Sequence, residues 1–159
     1  MEIRIDGWRC NLTFASSHFL ADYSKCSRIH GHSYAVHMTM EGDAIEGILL
    51  DFRIIKNTIR EIIEEIDHRV IVPTEGKFEV KRGKEVEVKY EGKRYIFPEE
   101  DCIFLPIYSS SAENLASYIL QEFIKRAGVE GRSNIRKVEI GVDEGRGQGA
   151  WARWERPSV

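Results

Sequence analysis

Two stretches near the N-terminus alternate apolar and polar residues with the period of a β-strand. Residues 2–15 form the first, with a bend at Asp6-Gly7, and residues 32–41 form the second. Successive side chains of a strand point to opposite faces, so His37 points away from the face that carries His32. The pattern predicts two strands, with the histidine at position 32 at the start of the second.

Two later stretches have helical periodicity. In residues 51–66 isoleucines recur at three- and four-residue steps, which predicts an amphipathic helix whose approach is capped by either Asp51 or Asp43. A second helix is predicted over 112–127, and Gly128 supplies a stop at its C-terminal end. Ser110 and Glu113 have the spacing of a capping box at the start of that helix.

The remaining patterned segments are β-strands. Residues 138–142 and 150–154 predict a strand pair joined by the glycine-rich stretch 145–149. Between the helices, residues 77–97 alternate Val86, Val88 and Tyr90 with charges, which predicts an inserted β-hairpin on a polar surface. So short an insertion cannot bury a core of its own, so we expect residues 1–159 to form one domain.

The composition restricts the class of protein. A chain of 159 residues with 31% charged residues fits a globular domain, and its apolar runs are shorter than the roughly 18 residues of a membrane span. The formal charge of −3 gives no general attraction to nucleic acid or to an anionic membrane. The first residues lack the features of a signal peptide, so we expect a cytoplasmic protein. Its three cysteines form no CxxC pair, which argues against a disulfide framework.

Three histidines predict a metal site. His30 and His32 stand two positions apart, so in an extended segment they can bind one ion, and His18 can complete the set from a neighbouring strand. Three protein ligands without a fourth are typical of an open, catalytic zinc site.

Cys26 lies four positions before His30, close enough to reach the same cavity without being a ligand. A free cysteine is often only a small buried hydrophobe. However, Lys25 and Arg28 flank this one, and a nearby cation favours the thiolate, which acts as a base or nucleophile. Cys10 and Cys102 lack such neighbours, and we assign them to packing.

Three further carboxylates and one histidine have two interpretations each. His68, at the end of the first helix, either complements the helix dipole or carries a proton with Asp67 orienting its ring. Glu113 is either a capping residue or part of a binding site, and Glu144 is either a solvated turn residue or a buried anchor. A buried carboxylate can accept two parallel hydrogen bonds from adjacent N–H groups of an amino-pyrimidine ring. Glu144 is the better candidate for that role.

Six segments in order together resemble the family of 6-pyruvoyl-tetrahydropterin synthases and 6-carboxy-5,6,7,8-tetrahydropterin synthases. They are 14–18 (FASSH), 25–34 (KCSRIHGHSY), 47–52 (GILLDF), 66–68 (IDH), 111–114 (SAEN) and 142–144 (VDE). The resemblance implies an α+β tunnelling fold: an antiparallel four-stranded sheet with two antiparallel helices on one face, assembled into an oligomeric barrel. It also implies a homo-oligomer, a trimer or a hexamer.

The resemblance further implies residue roles and a reaction. His18, His30 and His32 would bind Zn2+, Cys26 would be the general base with Asp67 and His68 as catalytic partners, and Glu144, with Glu113 as a weaker candidate, would bind the pterin. The implied substrate is 7,8-dihydroneopterin triphosphate. The carboxy branch cleaves the side chain and releases acetaldehyde and triphosphate, giving 6-carboxy-5,6,7,8-tetrahydropterin for 7-deazaguanine nucleosides such as queuosine and archaeosine. The pyruvoyl branch eliminates triphosphate and rearranges the side chain.

The spacing of Cys26 and His30 bears on the branch. Three residues between them resemble the carboxy enzymes, whereas pyruvoyl enzymes usually carry a longer insertion. A third branch, an aldolase of folate synthesis, typically has glutamate just before HGH, where this chain has Ser27, Arg28 and Ile29. Outside the enzymes, the alternative is a catalytically silent paralogue that binds a pterin or purine. The chain departs from the family at Gly145, where threonine is usual.

Overall fold

The computed structural model describes residues 1–157, which form an α+β fold. In chain order the strands are β1 (Glu2–Ile5), β2 (Thr13–His18), β3 (His30–Gly42), β4 (Arg69–Pro73), β5 (Glu79–Lys81), β6 (Glu85–Tyr90), β7 (Lys93–Pro98), β8 (Cys102–Leu105), β9 (Ile135–Glu144) and β10 (Gly149–Glu155). The two α-helices are α1 (Phe52–Glu64) and α2 (Ala112–Arg126), and short 3₁₀ turns span Ser24–Ser27, Glu99–Asp101 and Val129–Gly131.

The main sheet contains the four predicted antiparallel strands and extends beyond them. Its order is β10-β9-β3-β2-β4-β8, with β1 paired to β3, so the described residues form a seven-stranded sheet rather than a four-stranded one. β4 pairs parallel to β2, and β8 pairs parallel to β4. The predicted number of strands was three too few, because residues 2–15 contribute to two strands, β1 and β2, and because the short apolar runs of β4 and β8 lack a clear alternation. The α+β class is confirmed.

The long strand β3 explains why residues 2–15 are two strands instead of one with a bend. β2 pairs with the first part of β3, whereas β1 pairs with its last part, around Met38 to Glu41. A turn across residues 6–12 carries the chain between these two positions. β3 therefore organises the sheet from the histidine pair at one end to the chain's first strand at the other.

Both helices bury the apolar faces that their periodicity predicts. α1 begins after Asp51, whose carboxylate accepts a hydrogen bond from the backbone N–H of Arg53 at 2.7 Å, so Asp51 rather than Asp43 is the cap. α2 is capped by Ser111, one residue later than predicted, and is followed by Gly128 in the left-handed region with φ 62°. None of the helices in residues 1–157 has the length and apolar character needed to cross a membrane.

The insertion is a separate three-stranded antiparallel sheet, β5-β6-β7, rather than a two-stranded hairpin. The turns at 82–83 and 91–92 lie where predicted. One of its faces is not on a polar surface: Val86 and Val88 are fully buried against Phe19, Val72 and Cys102. This second apolar cluster joins the inserted sheet to the end of β2.

Candidate metal centre and adjoining cavities

The pairing of β2 with β3 brings the three predicted metal-binding histidines together. His18 lies directly opposite His30, and His32 follows two positions later on the same face. The ring centroid of His18 is 4.5 Å from that of His30 and 5.2 Å from that of His32. One nitrogen from each ring lies within 4.8 Å of the others, a spacing that a single metal ion can bridge.

Backbone carbonyl groups orient two of these rings. Nδ1 of His18 donates to the carbonyl oxygen of Ser110 at 2.9 Å, and Nδ1 of His30 donates to that of Arg28 at 2.7 Å. This leaves Nε2 of each ring as the metal-binding atom, and these two Nε2 atoms face each other at 3.1 Å. Burial lowers the pKa of His18, which favours the neutral imidazole that binds metal. The donor set fits a transition metal with an open coordination position.

Glu144 lies beside the histidines because its strand, β9, is the neighbour of β3 in the sheet. It stands opposite Tyr34, and its Oε1 atom is 3.3 Å from Nε2 of His18 and 3.5 Å from Nε2 of His32. The hydroxyl of Tyr34 donates to the same carboxylate oxygen at 3.4 Å and lies 3.4 Å from Nδ1 of His18. Burial raises the pKa of Tyr34, so the phenol keeps its proton. Sequence reasoning missed Tyr34 as a site residue, although its position two after His32 was the signal.

A cavity of about 900 Å3 adjoins this cluster and is lined by both carboxylates predicted to bind substrate, Glu113 and Glu144. Glu113 comes from the first turn of α2, and Glu144 from the end of β9. Asp22, Tyr23 and Lys77 also line this cavity. The structure thus places the two carboxylates, which are far apart in sequence, on one cavity.

Asp67 and His68 form a pair in the turn that precedes β4. Oδ2 of Asp67 is 2.8 Å from Nδ1 of His68, while Oδ1 accepts a hydrogen bond from the backbone of Ala15 at 2.8 Å. Burial would raise the pKa of Asp67, but the contacts with Ala15 and His68 outweigh it and hold this pKa below its ordinary value. His68 has φ 57° and is exposed. It shares a cavity of about 600 Å3 with His32.

Cys26 lies on a different segment from this pair, between β2 and β3. It is exposed in the 3₁₀ turn Ser24–Ser27, and its backbone N–H donates to Tyr23. It lines neither of the two cavities described above. Cys102 is buried and Cys10 packs against the main core, in keeping with the packing roles predicted for them. The histidines and Glu144 are therefore assembled within one chain, whereas the predicted base does not line the cavity that His68 lines.

Comparisons with known proteins identify the family of the chain. The family model described as 6-pyruvoyl tetrahydropterin synthase matches residues 9–155. A Methanocaldococcus jannaschii protein, provisionally named 6-carboxy-5,6,7,8-tetrahydropterin synthase, is 40% identical over 96% of both chains. The Aquifex aeolicus 6-carboxy-5,6,7,8-tetrahydropterin synthase is 32% identical over 84% of this chain and 82% of its own.

A solved structure has the same fold over almost the full length. It is the 6-pyruvoyl tetrahydropterin synthase of Plasmodium falciparum, which superposes with a TM-score of 0.89, covers 98% of both chains and is 28% identical. The family model, the sequence relatives and the solved structure therefore lead to the same family. The chain belongs to the 6-pyruvoyl tetrahydropterin synthase family and is a lyase of the tetrahydropterin synthase type.

Proposed function

We propose that the protein is a zinc-dependent 6-carboxy-5,6,7,8-tetrahydropterin synthase. It would convert 7,8-dihydroneopterin triphosphate and one water to 6-carboxy-5,6,7,8-tetrahydropterin, acetaldehyde and triphosphate, for 7-deazaguanine nucleosides such as queuosine and archaeosine. The observation that carries this proposal is the group His18, His30 and His32 beside Glu144 at a cavity large enough for a pterin.

The three histidines would hold the zinc ion through Nε2. The orienting carbonyls of Ser110 and Arg28 support this assignment, because they fix the tautomers of His18 and His30. Zinc bound there supplies electrophilic stabilisation of negative charge that develops on oxygen atoms of the substrate. The chain's own groups do the remaining work of binding the ring and moving protons.

Glu144 and Glu113 would bind the pterin ring. A cavity of about 900 Å3 lies within the roughly 300–1,000 Å3 usual for small-molecule sites. A carboxylate there can accept two parallel N–H hydrogen bonds from an amino-pyrimidine edge. The hydrogen bond from Tyr34 limits the rotation of Glu144, so the ring would be held with its side chain towards the histidines.

Cys26 would remove a proton from carbon, and His68, oriented by Asp67, would carry protons during the same reaction. Because Cys26 does not line the cavity that His68 shares with His32, we propose that the active form is a homo-oligomer, a trimer or a hexamer. The edge position of β10 supports this, since it pairs only with β9 in the described residues and exposes Trp151. A reducing compartment keeps an exposed thiol from oxidising, which favours a cytoplasmic location.

The choice between the two products rests on two observations. The relatives at 40% and 32% identity carry the 6-carboxy name, and three residues separate Cys26 from His30. The runner-up is 6-pyruvoyl-tetrahydropterin synthase, which the structural likeness to the Plasmodium falciparum enzyme favours. A silent binding paralogue has no need of Cys26, Asp67 and His68 together.

The test is to incubate the zinc-loaded protein with 7,8-dihydroneopterin triphosphate and to identify the products by mass spectrometry. Acetaldehyde with 6-carboxy-5,6,7,8-tetrahydropterin is the expected result. A pyruvoyl product without acetaldehyde would transfer the protein to the runner-up. Unchanged substrate in the presence of one zinc per chain would leave only the binding paralogue.

A further inference from the structure

The segment that carries Cys26 is held by hydrogen bonds of its own and by side chains of the inserted sheet. Residues 20–28 connect the metal-binding residues at the end of β2 and the start of β3, and most of them are exposed. Asp22 and Ser24 adopt φ of 68° and 42°, a left-handed conformation that non-glycine residues rarely adopt. Such a conformation persists only where contacts from elsewhere impose it.

The first of those contacts comes from β7 of the inserted sheet. Nζ of Lys93 donates to Oγ of Ser27 at 2.8 Å and to its carbonyl oxygen at 3.2 Å. Oγ of Ser27 in turn donates to the carbonyl oxygen of Ser24 at 2.7 Å, which closes the turn that contains Cys26. The hydroxyl of Tyr95 donates to the Ser27 carbonyl at 3.5 Å. One lysine thus holds the residue that follows the thiol.

The second contact is at the other end of the segment. The carboxylate of Asp22 accepts hydrogen bonds from Lys77, just before β5, and from the hydroxyl of Tyr90 at the end of β6. These two bonds hold the pKa of Asp22 below its ordinary value. The segment is therefore attached to the insertion on both sides of Cys26.

The insertion is itself anchored to the protein. The ring of Phe19, the residue after His18, stacks on Tyr95 with centroids 5.2 Å apart and packs edge-on against Phe78 at 4.9 Å. Val86 and Val88 are fully buried beneath these rings. The donors that reach the Cys26 segment therefore stand on a platform that is fixed to the end of β2 next to the metal site.

We propose that the inserted sheet β5-β6-β7 is the positioning element of the thiol, and that Lys93 is the positioning residue that fixes the turn around Cys26. This inference rests on the proposed function only in assigning Cys26 as the base. Lys93 acts through Ser27 and needs no contact with substrate. The sheet thereby has a task in the reaction that a surface decoration would not have.

The test compares Lys93→Met with a matched control, Lys89→Met, in the full-length zinc-loaded protein. Lys89 is on the same sheet but forms its ion pair with Glu87, within the sheet. In Lys93→Met we expect amide hydrogen exchange across residues 22–28 to accelerate by about tenfold or more, because opening of the turn no longer breaks the Lys93 bonds. We expect kcat to fall by about 10- to 100-fold, as is typical when a catalytic group loses its position, while KM and zinc content stay near those of the wild type. Lys89→Met should change none of these, and Lys93→Arg should restore part of kcat.

The outcomes separate this inference from the proposed function. Unchanged exchange across 22–28 in Lys93→Met would show that the sheet does not hold the segment, and would overturn the inference even in an inactive protein. Faster exchange with unchanged kcat would show that the segment is held for a reason other than catalysis, which also overturns it. Loss of zinc or of the folded state in Lys93→Met alone would assign Lys93 a structural role instead. If wild-type protein is inactive, the proposed function fails and the exchange measurement still decides whether the sheet holds the segment.

Discussion

The metal centre and the Cys26 segment lie side by side, but they are held in different ways. The histidines are set by the pairing of two adjacent strands, and His18 is fully buried with its ring oriented by a backbone carbonyl. Cys26 is exposed in a turn that depends on Lys93, which lies 66 positions beyond Ser27 in the chain. The metal site is thus a property of sheet register, whereas the position of the thiol is a property of the insertion. A substitution that disrupts the metal centre should therefore leave the Cys26 segment in place, and the reverse should also hold.

The largest loss of activity should come from a variant of the metal centre. His32→Ala removes one ligand atom while leaving the fixed rings of His18 and His30 in place. Loss of metal would remove several kcal/mol of charge stabilisation, so we expect activity to fall by about 10³-fold or more. Zinc content measured by atomic absorption should fall, while hydrogen exchange across residues 22–28 stays as in the wild type. Full zinc occupancy in this variant would contradict the three-histidine site.

Glu144→Gln tests the group between the metal and the large cavity. It keeps the shape of the side chain but removes the charge that would accept the N–H groups of the ring. A charge-assisted hydrogen bond is worth about 1.5–3 kcal/mol, so KM should rise by about 10- to 100-fold. Steady-state kinetics would show this, with Glu113→Gln as the weaker variant on the same cavity. A larger effect in Glu113→Gln would reverse the two assigned roles.

The main core and the apolar cluster of the inserted sheet should differ in how strongly a substitution affects stability and how strongly it affects catalysis. Ile59→Ala in α1 should lower the free energy of unfolding by about 2–5 kcal/mol, because it opens a cavity in the main core. Val88→Ala in the inserted sheet should cost about 1–2 kcal/mol, since fewer buried methyl groups are lost. Urea titration measures both.

In catalysis the order should be reversed: the less destabilised variant, Val88→Ala, should lose more activity than Ile59→Ala. Well below its unfolding transition, Ile59→Ala should keep the exchange rates of residues 22–28, whereas Val88→Ala should raise them and lower kcat. Equal kinetic effects from the two variants would mean that the insertion has no special connection to the thiol.

The smallest expected effect concerns Asp67. Its pKa in the folded protein lies below its ordinary value, so its ionised form stabilises the fold above the unfolded pKa near 3.8, and this stabilisation is lost as the pH falls through the folded pKa. Asp67→Asn should therefore be less stable than the wild type at pH 7, and the difference should shrink towards pH 3. Urea titrations at both pH values measure it. A difference that grows on acidification would contradict the lowered pKa.

The sequence allowed the metal centre to be predicted because its information is local. Alternation alone places His30, His32 and Tyr34 on one face, and both helices follow from their isoleucine and leucine spacing. The cap of α2 was misplaced by one residue because Ser110 and Ser111 have equal capping chemistry, and only the structure shows that the Ser110 carbonyl orients His18.

The role of the insertion could not be predicted because it depends on tertiary contacts. Nothing in the alternation of Val86 and Val88 indicates that Phe19 covers them, so the sheet was predicted to lie on a polar surface. The hydrogen bond between Lys93 and Ser27 joins residues 66 positions apart, and no motif or periodicity in the sequence connects them. The parallel strands β4 and β8 were missed because their short apolar runs lack the alternation that distinguishes a strand from the end of a loop.

The most direct test of the account is the comparison of Cys26→Ala with the wild type in the product assay, with zinc content measured on the same samples. We expect Cys26→Ala to keep one zinc per chain and the wild-type unfolding transition. Its rate of acetaldehyde formation from 7,8-dihydroneopterin triphosphate should fall by about 10²- to 10⁴-fold, the usual contribution of a general base. Full activity in Cys26→Ala would contradict the account, because the thiol would then have no part in the reaction that the metal centre supports.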